Sequence, residues 1–347
     1  MNKVCIVAPS SISYTPYLYL YLNLLKRNNV KCDVIYWDRF NLKESLNNSF
    51  VFNNEMTGGK FSTLKGYWGF RRFLINHFSK NKYDKYIILS AQMGVVLFDF
   101  LLDKNFVLDI RDYSHERIYF FNIFEKILIK KSKMVFISSK GFEDWLPKER
   151  EYIVSHNCSR ADLEFMRFDF NKKNISYIGS VSYHDVNIDF IQKMKNKKYV
   201  INYVGKGDSS NIIEAHVLNN NIANVNFIGR FSANEKKYFY EDANFILSAY
   251  GNDSLLLTTS IPNRLYDACK YGRPIIVSNN TYLAKIVEDF GIGVIWDGSE
   301  ESLVNKLSRY YDNNVYLDFL KNCETFLLMV SQDNHIFENK FTSWIFD

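Results

Sequence analysis

The sequence contains no long hydrophobic run and no recognisable export signal. Its longest apolar stretches have the length of a strand or contain polar residues, whereas a membrane-spanning helix needs about 20 apolar residues. The opening stretch, MNKVCIVAPS, has neither the hydrophobic core nor the cleavage site of a signal peptide. We therefore expect a cytoplasmic protein.

Cysteine is scarce and scattered. The sequence has five cysteines and no CxxC pair, so it indicates neither a zinc site nor a disulfide framework. The cysteines are Cys5, Cys32, Cys158, Cys269 and Cys323.

Internal repeats of about 20 to 50 residues, which would indicate a solenoid or a propeller, are also missing.

The composition is that of a globular protein with an uneven charge. Hydrophobic residues make up 47% and charged residues 23% of the 347 residues, and a chain of this length usually forms two domains. Residues 1–170 contain 25 Lys and Arg against 18 Asp and Glu, whereas residues 171–347 contain 18 against 20. The basic first half favours an anionic partner such as lipid headgroups or lipid pyrophosphates. Nucleic acid is disfavoured, because no zinc finger, basic-region helix or aromatic RNA-binding signature is present.

Strands and helices alternate along the whole chain. Short apolar runs that are typical of buried parallel strands are separated by segments with helical periodicity. The pattern predicts an α/β fold of two Rossmann-like, doubly wound domains at residues 1–170 and 171–330, and a last helix at 331–347. The predicted strands are KVCIVAPS, CDVIYWD, YDKYIILSA, NFVLDIRD, MVFISS and EYIVSHN in the first domain and ISYIGSVS, YVINYVG, VNFIGRF, NFILSAY, IIVS and GVIWD in the second.

One βαβ unit of the second domain carries strong local signals. In TTSIPNRLYDACKYGRPIIVS, residues 258–278, Pro262 suits the first turn of a helix and Gly272 suits its end. One stripe of this helix is expected to pack on the sheet, and another to face the crevice at the carboxyl ends of the strands, where such folds bind ligands. The stripes are Leu265, Ala268 and Cys269, and Asn263, Tyr266, Asp267 and Lys270.

The start of this helix is a candidate anion site. Thr258, Thr259 and Ser260 stand where the backbone N–H groups of a helix are unpaired, so that a pyrophosphate would fit there. Asp267 lies one turn further on, where it would accept hydrogen bonds from the two hydroxyls of a ribose. The alternative is that the three hydroxyl residues only cap the helix and that Asp267 is a solvated surface residue.

The layout with PNRLYDACKYGRPIIVS in the second domain resembles glycosyltransferases of the GT-B fold, specifically the family 4-like enzymes that build bacterial capsule and other surface polysaccharides. YIGSVS resembles the first strand of their nucleotide-binding domain, YVGKGD the turn after the second strand, and VNFIGRF the base-binding turn. FVLDIRD and VSHN resemble strands of their first domain. The resemblance implies an acceptor-binding N-terminal domain that faces a sugar-nucleotide-binding domain across a cleft, and a last helix that returns to the first domain.

The resemblance also implies the residues of the donor site. In the family, a glutamate at the position of Asp267 holds the ribose of the donor, and many members have another glutamate where Thr259 stands here. Arg264 stands where a subset of the family has lysine, and is implied as a partner of the diphosphate. Tyr183 and His184 replace a cation that often follows the first strand. The implied donor-binding residues are Gly179, Ser180, Gly205, Lys206, Arg230, Phe231, Thr258, Thr259, Ser260, Asn263, Arg264 and Asp267.

Plainer explanations exist for several of these residues. GKGDSS contains a lone Gly-x-Gly after a strand, which is often only a tight turn, because the third glycine of a dinucleotide fingerprint is missing. Lys206 and Arg230 are alternatively solvated surface charges.

Candidate catalytic residues follow a strand of the first domain. Glycosyl transfer needs stabilisation of the departing nucleotide diphosphate and, where configuration is inverted, deprotonation of an acceptor hydroxyl. LDIRDYSHER places Asp112 and His115 where either would act on the sugar or on the acceptor. The alternative is that Asp109 and Asp112 cap the next helix and that His115 lies in its first turn. The sequence contains no D-x-D motif, so we expect no metal ion.

The segment GYWGFRRFLINHFSK is a candidate membrane-surface helix. Tyr67, Phe70, Leu74 and His77 share one stripe of it, and Trp68, Arg71 and Arg72 lie off that stripe. Such a helix would rest on a membrane that carries a lipid-linked acceptor. The alternative is an ordinary helix that packs its aromatic residues on the sheet.

These observations predict a metal-independent hexosyl- or deoxyhexosyltransferase. It would move a monosaccharide from a UDP-, GDP- or dTDP-sugar to a lipid-linked oligosaccharide in the synthesis of capsule or another surface polysaccharide, with peripheral contact with the inner face of the plasma membrane. A sugar-nucleotide 2-epimerase of the same fold is the second candidate, although it would need no acceptor and gives no reason for a basic first domain. A non-catalytic nucleotide- or sugar-binding protein is the third.

Overall fold

The computed structural model describes residues 3–55, 60–113, 115–158 and 163–347. The chain forms two compact units, residues 1–159 with 333–347 (unit 1) and residues 160–332 (unit 2). The boundary between the two units therefore lies at residues 159 and 160, about ten residues before the predicted boundary at residue 170. The reason is that the segment after residue 162 is bound by unit 2: the amides of Glu164 and Met166 donate to the carbonyls of Lys270 and Tyr271, at 3.0 and 3.2 Å.

Within its described residues, unit 1 forms a parallel sheet of seven strands. They are β1 (Val4–Ala8), β2 (Cys32–Asp38), β3 (Ser49–Asn53), β4 (Lys85–Leu89), β5 (Phe106–Ile110), β6 (Val135–Ile137) and β7 (Ile153–Val154), in the order β3-β2-β1-β4-β5-β6-β7. β1, β4 and β5 are buried throughout, which explains why their sequences are largely apolar. β3 was not predicted from the sequence, because this edge strand is only partly buried and follows a polar stretch.

Helices cover both faces of this sheet. They are α1 (Leu18–Arg27), α2 (Lys60–Lys80), α3 (Ala91–Val96), α4 (Phe98–Leu101) and α5 (Tyr119–Lys131). α2 to α5 pack on one face and α1 on the other. The stripe of α2 packs on the sheet, since Phe70 and Leu74 are fully buried and His77 nearly so. The aromatic stripe therefore packs on the sheet as the alternative predicts, whereas contact of this helix with a membrane stays a prediction. Between β6 and β7, Lys140–Asp144 form a short 3-10 helix.

Unit 2 forms a second parallel sheet, with six strands among the residues described. They are β8 (Asn174–Ile178), β9 (Val200–Val204), β10 (Val225–Gly229), β11 (Phe245–Ser248), β12 (Ile275–Ser278) and β13 (Gly293–Trp296), in the order β10-β9-β8-β11-β12-β13. The helices are α6 (His184–Met194), α7 (Ser210–Asn219), α8 (Lys236–Asp242), α9 (Leu255–Thr259), α10 (Asn263–Tyr271), α11 (Tyr282–Phe290) and α12 (Glu300–Ser308). The predicted α/β class with two doubly wound sheets is confirmed.

A last helix, α13 (Asn313–Phe346), contributes to both units. The helix predicted at 331–347 is the second half of this longer one. Its final residues are buried in the core of unit 1, where they pack on the α1 face of the sheet: Phe337, Phe341, Trp344 and Ile345. The buried ammonium of Lys85 donates to the carbonyls of Trp344 and Ile345, so that a cation stabilises the negative end of the helix dipole.

Candidate functional site

The site begins where the direction of chain progression reverses in the sheet of unit 2. β8 has β9 on one side and β11 on the other, and the carboxyl ends of strands beside such a reversal form the usual ligand crevice of an open α/β sheet. Gly179 follows β8 and Gly205 follows β9, with φ angles of +123° and +129°. A Cβ on Gly205 would lie 2.0 Å from the carbonyl oxygen of Gly179. The two glycines therefore allow a close backbone approach that no other residue permits.

Arg264 binds the two strands on either side of this reversal. Its Nε donates to the carbonyl of Ile178, at 2.5 Å, and its Nη1 to that of Leu247, at 3.3 Å. Its Nη2 donates to the carbonyl of Ser180, at 3.2 Å, and the guanidinium lies 3.6 Å from the centre of the Tyr177 ring. Arg264 is buried and thus stabilises the strand ends directly. Its predicted contact with a diphosphate stays a prediction.

The helix after this loop has the predicted bounds. α10 begins at Asn263, with Pro262 as its N-cap, and ends at Gly272, whose φ of 66° is left-handed. Across the described residues, no side-chain hydrogen bond caps its start. The first-turn amides and the helix dipole therefore make this end favourable for an anion.

The two predicted stripes of α10 need one correction. Leu265, Ala268 and Cys269 are buried as predicted. Tyr266, which was placed on the crevice stripe, is also buried, and its ring stacks on that of Phe326 in α13 with 6.2 Å between the centroids. The aromatic ring is large enough to reach the neighbouring helix, so the side of α10 left partly accessible is narrower than expected.

The three hydroxyl residues before α10, Thr258, Thr259 and Ser260, do not lie in an open loop. Thr258 and Thr259 form the end of α9, a short helix that the sequence analysis did not predict. The hydroxyls of both threonines donate to the carbonyl of Leu255, at 3.2 and 2.5 Å, and Thr259 is buried. The expectation that these threonines stand at the unpaired start of the next helix is wrong. Ser260, the C-cap of α9, is partly exposed.

Asp267 is held by two side chains of α8 rather than pointing into bulk solvent. Its side chain is 21% exposed, and its Oδ2 forms an ion pair with Lys236. The hydroxyl of Tyr240 also donates to Oδ2, at 3.4 Å. Burial raises the pKa of Tyr240 well above its ordinary value, so this phenol stays a donor. In the described part of the chain, Oδ1 has no such partner, which leaves it as an acceptor for a ligand.

The other predicted donor-binding residues lie on loops of the same unit, except Asn263, which is the first residue of α10. Phe231 is partly exposed and its ring contacts Phe239 of α8, with 5.4 Å between the centroids. Helix α8 therefore connects the turn after β10 to Asp267. Exposed positions include Ser180, Lys206, Arg230 and Asn263. Sequence reasoning missed Lys236 and Tyr240, since nothing in the local pattern of ANEKKYFYEDA points to the carboxylate that they bind.

The carboxyl end of β5 in unit 1 carries a buried ion pair. Both carboxylate oxygens of Asp109 accept from Arg111, at 2.8 and 2.9 Å, and the hydroxyl of Tyr21 donates to Asp109 at 2.7 Å. Arg111 also donates to the carbonyl of Ser155 and to the side chain of Asn157, both at 2.7 Å. This network fixes the backbone immediately before Asp112.

Asp112 and His115 are exposed on the loop after β5. The His115 ring contacts that of Phe121, with 5.6 Å between the centroids. α5 has Ile118 as its N-cap and no side-chain cap among the described residues, so the alternative in which Asp109 and Asp112 cap it is wrong. Although Asp112 is exposed, desolvation by surrounding protein raises the pKa of its carboxyl, while Arg111 acts to lower it. A raised pKa suits a carboxyl that exchanges protons.

None of the helices in the described residues combines the length and the hydrophobicity that a membrane crossing requires. No group of three or more His, Cys, Asp or Glu side chains among them is arranged to hold a metal ion.

Comparisons with known proteins agree with this architecture. A sequence profile of the family Glycosyl transferases group 1 matches residues 166–325; no curated protein sequence matches the chain. Sucrose-phosphate synthase from Thermosynechococcus elongatus is similar in structure, with a TM-score of 0.74 and 11% identity over 99% of this chain and 100% of that one. HepE of Anabaena, solved in complex with UDP, has a TM-score of 0.73 and 13% identity over 99% and 100%. The lipopolysaccharide outer core galactosyltransferase WaaB has a TM-score of 0.65 and 13% identity over 96% and 99%.

These findings confirm the resemblance drawn from the sequence. The structural likeness covers almost the whole chain and shows the fold, because the identities are low. The profile covers most of unit 2, which contains the glycine turns, α8 and α10. The chain has the GT-B fold, and its match to the family Glycosyl transferases group 1 covers residues 166–325, slightly less than half of its length.

Proposed function

We propose that the protein moves a monosaccharide from a nucleotide-diphosphate sugar to a lipid-linked oligosaccharide, as a step in the synthesis of capsule or another bacterial surface polysaccharide. The observation that carries the proposal is the position of Asp267, one turn inside α10 and close to the uncapped start of that helix. The distance between the diphosphate and the ribose of a nucleotide is of the order of one helical turn. Both groups would then be bound by one short helix.

The donor contacts follow from this placement. The first-turn amides of α10 would bind the diphosphate, and Oδ1 of Asp267 would accept hydrogen bonds from the ribose. The backbone near Gly179 and Gly205 would lie against the sugar-nucleotide, with Phe231 and Arg230 beside the base. HepE of Anabaena has also been solved with UDP-glucose, which supports a UDP-sugar as the first donor to try, ahead of GDP- and dTDP-sugars.

In this proposal, the transfer step uses only side chains and backbone dipoles of the protein. The positive end of α10 would stabilise the charge that develops on the departing diphosphate. Asp112, whose carboxyl has a raised pKa, and His115 would act on the sugar or on the acceptor hydroxyl. We propose transfer of a hexosyl or deoxyhexosyl group without a metal ion, since the sequence has no D-x-D motif. Chelation with EDTA should therefore leave the rate unchanged.

The acceptor is proposed from the charge of the first half of the chain. Its excess of Lys and Arg, 25 against 18 acidic residues, suits a lipid pyrophosphate at an anionic membrane surface. The protein should be incubated with UDP-, GDP- and dTDP-sugars and a polyprenyl-pyrophosphate-linked glycan, and the lipid fraction analysed by mass spectrometry. Addition of one sugar supports the proposal. Interconversion of the sugar without an acceptor would instead make the protein an epimerase, and binding alone would make it a receptor.

Lys236 should matter for donor binding although it would not touch the sugar. It binds Oδ2 of Asp267 and thereby orients Oδ1. Lys236→Met should weaken the binding of a sugar nucleotide about fivefold, because an ion pair of two partly exposed side chains contributes about 1 kcal/mol. Titration calorimetry measures this change. The turnover number at saturating donor should stay the same, because Lys236 acts on binding rather than on the transfer step.

Lys237 provides a matched control for this substitution. It is the next residue of the same helix, but it pairs with Glu164 and not with Asp267. Lys237→Met should leave donor affinity unchanged, and Lys236→Arg should restore most of it, because the cation is retained. Equal affinities for the wild type and Lys236→Met would contradict the orienting role.

A further inference from the structure

Arg273 is a buried cation in unit 2, directly after the glycine that ends α10. Only 1% of this residue is exposed. Its guanidinium donates to three backbone carbonyls: Nε to that of Tyr240 at 2.8 Å, and Nη2 to those of Arg167 and Glu241 at 2.9 and 3.1 Å. A buried cation is costly unless polar groups compensate it. These carbonyls therefore hold the guanidinium in a defined position.

Two of the three carbonyls belong to the last turn of α8, at Tyr240 and Glu241. The last carbonyls of a helix have no partner within the helix and form the negative end of its dipole, which a cation stabilises. α8 has seven residues, and a helix of this length is not stable by itself. Its position therefore depends on such tertiary contacts, and Arg273 fixes its C-terminal end.

The turn of α8 that Arg273 binds is also the one that contacts Asp267. Tyr240 accepts from Arg273 with its backbone carbonyl and donates to Oδ2 of Asp267 with its hydroxyl, at 3.4 Å. Lys236, one turn earlier in α8, pairs with the same oxygen. Since Asp267 lies on α10 and Arg273 follows that helix, the contacts run from α10 to α8 and back. A single residue, Tyr240, connects the arginine to the carboxylate.

We propose that Arg273 is a positioning residue for donor binding, which holds α8 where Tyr240 and Lys236 leave Oδ1 of Asp267 free to accept from a ribose. The inference rests on the proposed function, because it adds a residue to the same donor site. Arg273 would not touch the nucleotide itself, since its side chain is buried. A residue that only stabilised the fold would weaken the binding of every nucleotide alike. A positioning residue should instead affect recognition of the ribose hydroxyls.

The substitution Arg273→Lys tests this role with the charge retained. A single ammonium cannot span the carbonyls that the planar guanidinium joins, so α8 should shift while the protein stays folded. The affinity for UDP should fall about fivefold to tenfold, because a hydrogen bond to a charged group is weakened. The affinity for 2′-deoxy-UDP, which lacks one of the two ribose hydroxyls, should fall less than about twofold. Titration calorimetry measures both, and equal losses for the two nucleotides would overturn the proposal.

A double-substitution cycle shows whether Arg273 acts through Asp267. In the background Asp267→Asn, Arg273→Lys should change the affinity for UDP by less than about twofold, because residues that act through one contact are not additive. Urea unfolding of each variant confirms that it is folded. Losses that simply add would mean that Arg273 acts independently of the carboxylate, and the proposal would fail.

Lys172 provides a matched control at the same end of α8. Its ammonium pairs with Asp242, the last residue of α8, at 2.7 Å, and both side chains are partly exposed. Such ion pairs contribute little, so Lys172→Met should bind UDP like the wild type. A loss as large as that of Arg273→Lys would show that any change at this end of α8 is sufficient, which contradicts a specific role for Arg273.

Hydrogen exchange without nucleotide separates this inference from the proposed function. The backbone amides of α8 should exchange faster in Arg273→Lys than in the wild type, whereas those of α6 should exchange equally fast in both. Unchanged exchange in α8 would overturn the inference. Faster exchange of α8 in a protein whose wild type binds no nucleoside diphosphate would contradict the proposed function, while it supports the positioning of α8 by Arg273.

Discussion

Asp267→Asn should weaken the binding of a UDP-sugar by about 10- to 100-fold. The substitution keeps the shape of the side chain but removes the charge that would accept hydrogen bonds from the ribose, and a hydrogen bond to a charged group contributes about 1.5–3 kcal/mol. Lys236 would lose its ion-pair partner, which costs little because its side chain is 38% exposed. Titration calorimetry with UDP and with the UDP-sugar measures the change.

Two comparisons make this prediction specific. Asp289→Asn, an exposed position on α11 of the same unit, should leave donor binding unchanged. The loss caused by Asp267→Asn should also be smaller for dTDP than for UDP, because dTDP lacks the 2′-hydroxyl of the ribose. Donor affinity unaffected by Asp267→Asn would place the nucleotide elsewhere and remove the main support for the proposed function.

Arg111→Met should destabilise unit 1 by about 3–5 kcal/mol. Removing one partner of a buried ion pair leaves the other charge buried without compensation, and such losses are of this size. Asp109 is fully buried and, among the residues described, would keep only the hydroxyl of Tyr21, while Ser155 and Asn157 would also lose this donor. Urea unfolding, followed by circular dichroism, should show a clearly lower midpoint.

A second variant separates the charge from the packing. Asp109→Leu combined with Arg111→Met removes both charges, and buried ion pairs replaced by apolar residues often recover stability. We expect the double variant to unfold at higher urea than Arg111→Met alone. Arg117→Met, at an exposed position of the same loop, is the control and should unfold like the wild type. A wild-type midpoint for Arg111→Met would show that the pair does not stabilise the unit.

Local sequence patterns predicted most helices and strands, because such patterns depend on the burial and the backbone preferences of neighbouring residues. Pro262 and Gly272 bound α10, and IIVS is β12, since these residues restrict or permit particular backbone angles. The exceptions have physical reasons as well. β3 is a partly exposed edge strand, and α9 is a short helix whose last two threonines donate to the carbonyl of Leu255 in the same helix.

The candidate site was predictable only in part. The pattern around α10 indicated Asp267, and the resemblance to the family implied Gly179 and Gly205. The function of Arg264 in joining the ends of β8 and β11 was not predictable, because its partner Ile178 is 86 positions away in the sequence. The same holds for Tyr240, which is 27 positions from Asp267.

The sequence by itself determined the class of the fold, the order of most of its strands and helices, and the bounds of the helix that carries Asp267. These features depend on the burial periodicity and on the backbone preferences of neighbouring residues, which are visible in any short window. Only the tertiary structure decided that Lys236 and Tyr240 hold Asp267, that Arg264 is buried, and that the stripe of α2 packs inward and leaves Trp68 exposed. Such contacts depend on which distant segments the sheet order brings together, and no local pattern contains that information.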